Sequence, residues 1–429
     1  MFREHAATRG VRANMPRRPL TNRGIVFDIR LSQEQREFRD LARKFAQEEI
    51  KPKAMALDLE SEWEKRVPWD LLKQGSQLGF RTFVLQEENG GSGMSDHLTS
   101  CLVAEELAAG ELGTAYYFML TARRARDWFE LRMTPEQKAY FIPKFVGDDL
   151  YFTTVAIHEP ETDFGFDYFT ETPDDVRLKT RAVEQPDGSW IINGAKAYQT
   201  VGYLAKLIVL RAQTPDGVQS FLVEGDSPGL SRRPLSKFGR RVGDNAAEMF
   251  FDNVRVPKGR ILPPAPKGRT DMGTHPTIAA LTLGLGRAAF EETLKYTQER
   301  VSGGKPIIKH QAVGLTIAEM AMNLEAARRL IWTAAWVKDH PEAIEDGSME
   351  NLPYEHMATA FTGTCVQRLT EQALELFGGA GVIQGMPIEK YVRDAHVQKH
   401  VSFPVPSRFK ITEALVGFKR KVPPFHGGD

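Results

Sequence analysis

The stretch AHVQKHVSFPVPSRF, residues 395–409, closes a charged, helix-like run with a histidine and a serine two positions apart. The first of these, His400, is of a residue type that can take or give a proton. The hydroxyl of Ser402 has no useful basicity unless another base activates it. No Asp or Glu lies between Asp394 and Glu413, and Pro404 and Pro406 interrupt the chain there. A second histidine, His275, stands at the head of the helix-like text GTHPTIAALTLG, where a helix N-terminus would surround it. The first stretch reads as a helix end. Whether it is also a place from which a carboxylate has been removed depends on what the rest of the chain is.

The totals narrow the classes. At 429 residues the chain is long enough for two or three domains with large buried cores. Lys plus Arg and Asp plus Glu are equal at 56 each, so no basic surface calls for nucleic acid. No apolar run reaches the length of a membrane span. Cys101 and Cys365 sit far apart in helix-like text, which argues against a disulfide framework and fits a reducing compartment: cytoplasm, or the mitochondrial matrix in a eukaryote. The opening MFREHAATRGVRANMPRRPLTNRG is rich in Arg and poor in acids. A transit peptide is one reading; few serines and an early Glu4 favour a disordered leader over residues 1–30, or a start at Met15.

Three segments follow. Over residues 31–150 the text is helical: LSQEQREFRDLARKFAQEEI opens with Ser32 and Gln35 in capping-box spacing, and TPEQKAYFIPKFV has Thr134 as its cap. Residues 151–265 switch to strand-like alternation around two Pro-Asp-Gly turns, which predicts a small antiparallel β domain. Residues 270–429 return to long apolar-periodic helices joined by short loops, the pattern of a four-helix bundle. The predicted fold class is α+β: helical domain, central antiparallel β domain, C-terminal four-helix bundle.

Four phrases in this order make the pattern specific: WIINGAKAYQT (190–200), KFGRRVGDNAAEMFFDNVRVP (237–257), HQAVGLTIAEMAMNLEAAR (310–328) and ALELFGGAGVIQGMPIEKYVRDA (373–395). Together they resemble the acyl-CoA dehydrogenase family of flavoproteins, over residues 31 to about 415. The resemblance implies FAD, whose ring needs an apolar slot and whose pyrophosphate needs donors. It places Tyr198 (usually Trp) and Thr200 beside the flavin ring, with Ile157 and His158 of HEPETDFGFD against its pyrimidine. It assigns Arg300, Ser302, Gln311, Gly378 and Gly379 to a neighbouring subunit's cofactor. Arginine can grip a pyrophosphate with two hydrogen bonds, and paired glycines allow close backbone approach. Gly303 stands where the family has Phe.

The family's catalytic Glu, counted from Arg393, corresponds to Ser402; Phe403 and Pro404 replace the Gly and Thr that follow it. The alternative position, counted back from Gly284, is Thr274. The sequence therefore predicts that the usual carboxylate base is absent, with His275 the candidate base, His400 its rival, and Asp163 and Asp167 more remote. The implied function is an FAD-dependent acyl-CoA dehydrogenase-like oxidoreductase acting on an unusual acyl-CoA thioester. The alternatives are a same-fold flavoenzyme of monooxygenase or desulfinase type, or a base-lacking partner subunit of a hetero-oligomer. Electron-transfer flavoprotein is a candidate acceptor. A homodimer or homotetramer is expected, since a monomer would lack Arg300 and Gln311 at its own FAD.

Overall fold

The computed structural model describes residues 30–160, 177–243, 246–264, 275–340, 352–401 and 404–417. Helix α1, Gln33–Phe45, starts with the expected reciprocal cap: Ser32 Oγ accepts from Gln35 N–H at 3.1 Å and Gln35 Oε1 from Ser32 N–H at 3.0 Å. A wider helical turn leads into α2, Lys51–Leu59, and α3 spans Trp69–Gln77. The centre of the molecule is α4, His97–Gly110, which is buried around its whole circumference. A helix with apolar residues on every side has no solvent face, so it must be surrounded. Its two buried acids are each met by arginine: Glu106 by Arg287 at 2.6 Å and Arg43 at 2.8 Å, and Glu105 by Arg328 at 2.9 Å. Helices α5, Leu112–Ala125, and α6, Pro135–Gly147, complete this layer, the latter with Thr134 and Gln137 forming a second reciprocal cap.

The sheet holds β1 Phe152–Ala156, β2 Arg181–Glu184, β3 Trp190–Gln199, β4 Ala205–Thr214, β5 Gly217–Glu224, β6 Leu230–Pro234 and β7 Ala247–Val256. Its order is β1-β4-β2-β3-β7-β6, with β5 also on β4. The two Pro-Asp-Gly turns close the β2–β3 and β4–β5 hairpins as expected. The antiparallel expectation needs correcting: β1 runs parallel to β4, and β2 touches β4 in parallel, so the sheet is mixed. Turn residues announce hairpins, whereas a parallel neighbour joins through a long connection that carries no local signal.

The C-terminal helices are α7 Pro276–Glu299, α8 Gln311–Asp339, α9 Tyr354–Phe377, α10 Pro387–Val401 and α11 Pro404–Val416, with a small hairpin at Val301–Pro306. The four expected helices are present and α11 adds a fifth; the stretch at 395–409 is a helix end followed by a new helix. Among the described residues no helix is long and apolar enough to cross a membrane. Both cysteines are free.

One buried polar network ties the three segments. Lys390 Nζ on α10 meets Glu111 at 3.0 Å and Asp394 at 2.5 Å. Glu111 also caps α5 by accepting from Thr114 N–H at 2.6 Å, and the other oxygen of Asp394 accepts from Arg240 N–H in the loop before β7. Gln398 accepts from Tyr116 at 2.7 Å and Arg240 at 3.0 Å and donates to Thr282 of α7 at 2.8 Å. Burial would lower the Lys390 ammonium; Asp394 and Glu111 reverse this and hold it above its ordinary value. Replacing Lys390 by Met strands two buried carboxylates, and removing one partner from a buried ion pair costs about 3–5 kcal/mol. Lys390→Met is expected to unfold at clearly lower urea concentration than the parent chain; an unchanged midpoint would contradict this role.

Candidate active site

A lysine inside an alternating apolar strand organises the first half of the site. Lys196 of β3 is fully buried, donates to the Ile157 carbonyl at 3.0 Å and pairs with Glu159 at 2.9 Å. Burial pulls its ammonium down to about 8, and the Glu159 charge opposes that pull. Glu159 in turn accepts from the N–H groups of Lys179 and Thr180 at 2.7 and 2.9 Å. The His158 carbonyl accepts from Ala197 N–H at 2.8 Å. The segment Ile157–Glu159 is thus pinned to β3 by its own backbone.

The same strand then bulges. Its register against β7 shifts between Lys196 and Gln199, and Tyr198 adopts φ 62° while remaining 68% exposed. A left-handed backbone at a bulky non-glycine residue is uncommon and strained, and bulges concentrate beside active sites, where they redirect a side chain. Thr200 follows, its carbonyl accepting from Thr154 Oγ1 of β1 at 2.8 Å. Ile157, His158, Tyr198 and Thr200 therefore lie on two adjoining pieces of backbone. An exposed aromatic ring, a hydroxyl and fixed amides suit a flat heterocycle.

The second half lies at the far end of the helices. Arg300 follows α7, Gly378 and Gly379 follow α9, and the two ends are joined by Tyr296 stacked on Phe377 at 4.0 Å. Arg300, Ser302, Gln311, Gly378 and Gly379 are all exposed, and a Cβ at either glycine of the pair would meet nothing within 4 Å. At 24 residues and 1.5 Å per residue, α7 is about 36 Å long. That length separates Arg300 from His275.

His275 caps α7, its Nδ1 accepting from Thr277 N–H at 3.2 Å. An imidazole whose Nδ1 accepts carries its proton on Nε2, so the ring presents an N–H donor rather than a base. Its pKa lies well below the ordinary value, first through burial, then through His97, Arg123, Lys338 and Arg126. His97, which sequence reasoning passed over, lies 4.9 Å away ring to ring; it pairs with Asp339 through Nδ1 and accepts from Arg126 at 2.7 Å through Nε2. This disfavours the base role expected of His275. His400 is exposed on the last turn of α10. Thr274, Ser402, Phe403, Asp163 and Asp167 lie outside the described residues. Glu413 of α11 pairs with Lys410 at 2.9 Å and lies on the α9 side. Lys196 and its partner were the other omission; a single lysine within the apolar text WIINGAKA was the available signal.

Comparison with known proteins gives one answer. The family descriptions acyl-CoA dehydrogenase N-terminal, middle and C-terminal domain match residues 32–149, 172–254 and 273–401. A probable acyl-CoA dehydrogenase of Bacillus subtilis is 30% identical over 389 residues, covering 87% of this chain and 95% of that protein. The cyclohexane-1-carbonyl-CoA dehydrogenase of Geobacter metallireducens is 30% identical over 380 residues, covering 85% and 92%. Among solved structures, butyryl-CoA dehydrogenase from Megasphaera elsdenii shares the fold at a TM-score of 0.76 with 24% identity, over 91% of this chain and all of that one.

The His275 geometry is open to test. At pH 6, where an ordinary histidine is mostly protonated, ¹⁵N spectra should show His275 neutral with its proton on Nε2; an imidazolium would overturn the assignment. The unfolded ring takes up a proton that the folded ring refuses, so stability falls as pH drops below about 6.5. His275→Asn, which keeps a capping oxygen, should flatten that part of the stability curve.

Proposed function

The chain belongs to the acyl-CoA dehydrogenase family of flavoproteins, oxidoreductases that act on CH–CH groups, and from that premise we propose that it oxidises an acyl-CoA thioester other than a plain fatty acyl chain, with FAD as cofactor. The observation that carries the cofactor reading is the bulged strand presenting Tyr198 and Thr200 beside the pinned Ile157–His158 backbone. FAD, when bound there, supplies the hydride acceptor for the β carbon. Tyr198 and Thr200 flank its ring, and the backbone at Ile157 and His158 meets its polar edge. Arg300, Ser302, Gln311, Gly378 and Gly379, exposed where α7 and α9 end, serve the cofactor of a second copy. A homodimer or homotetramer follows, with electron-transfer flavoprotein as the proposed electron acceptor.

The α proton needs an acceptor within hydrogen-bond reach. His275 is occupied as a cap and presents a donor, so His400, two residues before Ser402 in the sequence, is the proposed acceptor. One observation favours a second reading. A donor-only His275 and the lack of any acid between Asp394 and Glu413 fit a same-fold flavoprotein with different chemistry, or a subunit that completes a paralogue's site.

The purified protein should carry about one flavin per chain, seen as visible absorption after gel filtration, and should elute larger than a monomer. A colourless protein that rejects added FAD would turn the assignment to the partner-subunit reading. Arg300→Ala should lose flavin while Tyr198→Trp keeps it. His400→Ala should slow substrate-dependent bleaching of the flavin by about 10²-fold or more; bleaching at the parent rate would remove His400 from the mechanism.

A further inference from the structure

We propose that the cleft between the loop before β7 and the loop joining α9 to α10 binds an adenine nucleotide, its base stacked on Phe238 and a phosphate held by Arg241. The site is independent of the acyl-CoA reading. None of the residues assigned above to the flavin lines it.

The cleft measures about 370 Å³, within the range of small-molecule sites. Phe238 stands in it 62% exposed. One exposed aromatic ring is ordinary on a surface; the way its backbone is held is not. The Phe238 carbonyl accepts from Arg393 at 3.0 Å, and Arg393 is itself fixed by Asp58 and Glu389, each at 2.6 Å. A Cβ at Gly239 would fall 2.2 Å from the Arg393 carbonyl, so this loop lies directly on α10. Arg240 then takes φ 49° and donates its N–H to Asp394. Left-handed backbone at a bulky residue persists only where its surroundings over-determine it, and such strain concentrates at ligand clamps. The ring is presented from a loop fixed in advance, which lowers the entropy that a ligand must offset.

The charges in the cleft are not balanced. Arg393 and Glu389 answer each other. Arg241 meets no carboxylate among the described residues; it donates to the Glu60 carbonyl at 3.1 Å. Arg66 donates to the next carbonyl, that of Ser61, at 2.7 Å, so two guanidinium groups rest on adjacent residues. The Glu60 carboxylate does not answer them, because it accepts from the N–H groups of Ser61 and Glu62 at 2.7 and 3.1 Å. Lys237 adds positive charge on the same wall. A guanidinium with N–H groups to spare can grip a phosphate with two hydrogen bonds. From the other wall, Gln384 brings an amide, the side chain that pairs a donor and an acceptor with the N6/N7 edge of adenine. A flat base on Phe238 and an anion on Arg241 use all three features together.

The test is calorimetry on the purified protein as isolated, with ADP as the probe. ADP should bind, and tripolyphosphate, which keeps the charge and lacks the base, should bind at least about 10-fold more weakly. Phe238→Ala should weaken ADP by about 10-fold, and Phe238→Trp should keep it. Arg241→Gln should weaken ADP by about as much and flatten its dependence on salt. A free nucleotide and the nucleotide end of CoA share this chemistry. Phe238→Ala separates them: loss of ADP with CoA binding as in the parent means a free nucleotide, and equal loss of both means the CoA end. Absence of ADP binding, tripolyphosphate binding as tightly as ADP, or ADP binding that survives Phe238→Ala overturns the proposal. Should Arg241→Gln not fold, the Phe238 pair decides, since that ring is exposed and carries no packing load in the core.

Discussion

The structure depends on the buried carboxylate of Asp394 and the groups that meet it. Its two oxygens reach two different segments: one accepts from the backbone of Arg240 in the loop before β7, and the other holds Lys390, which holds Glu111 at the head of α5. Each ion is isolated from water, so none can leave without exposing the others to a desolvation penalty of several kcal/mol. Gln398 extends the network one turn along α10 and reaches α7 through Thr282. A polar knot of this kind does little for net stability compared with a well-packed apolar core. What it supplies is register: Lys390, Asp394 and Gln398 tie one face of α10 to α5, α7 and the loop before β7.

The same logic of matched and unmatched charge runs through the site. Lys196 and Glu159 are matched, and the result is a rigid backbone at Ile157–Glu159. Tyr198 spends backbone strain to stand exposed beside that rigid edge. At the head of α7, His275 satisfies an N-terminal N–H that would otherwise have no partner. That single hydrogen bond fixes the tautomer of the ring and turns a residue type associated with base chemistry into a donor. Arg124, by contrast, is met among the described residues by the Thr153 carbonyl.

The residues proposed for the cofactor fall in two groups, one along β1 and β3 and the other where α7 and α9 end. By helical rise α7 alone spans about 36 Å. On the proposed assignment each chain is half of two sites, and association is a condition for cofactor binding rather than an addition to it.

Much of this was legible in the residues. The caps at Ser32 and Thr134, the long periodic helices and the two Pro-Asp-Gly hairpins are local patterns, and local patterns are set by nearest neighbours along the chain. The order of segments and four phrases sufficed for the family. The parallel pairing of β1 with β4, the tautomer of His275 and the Lys196–Glu159 pin were not legible. Each depends on which groups meet across tens to hundreds of residues. The sequence by itself determined which side chains were available and which stretches would be helix or hairpin. Only the tertiary structure decided which charges are answered and which are left over, because desolvation and pairing energies depend on distance and burial rather than on residue type.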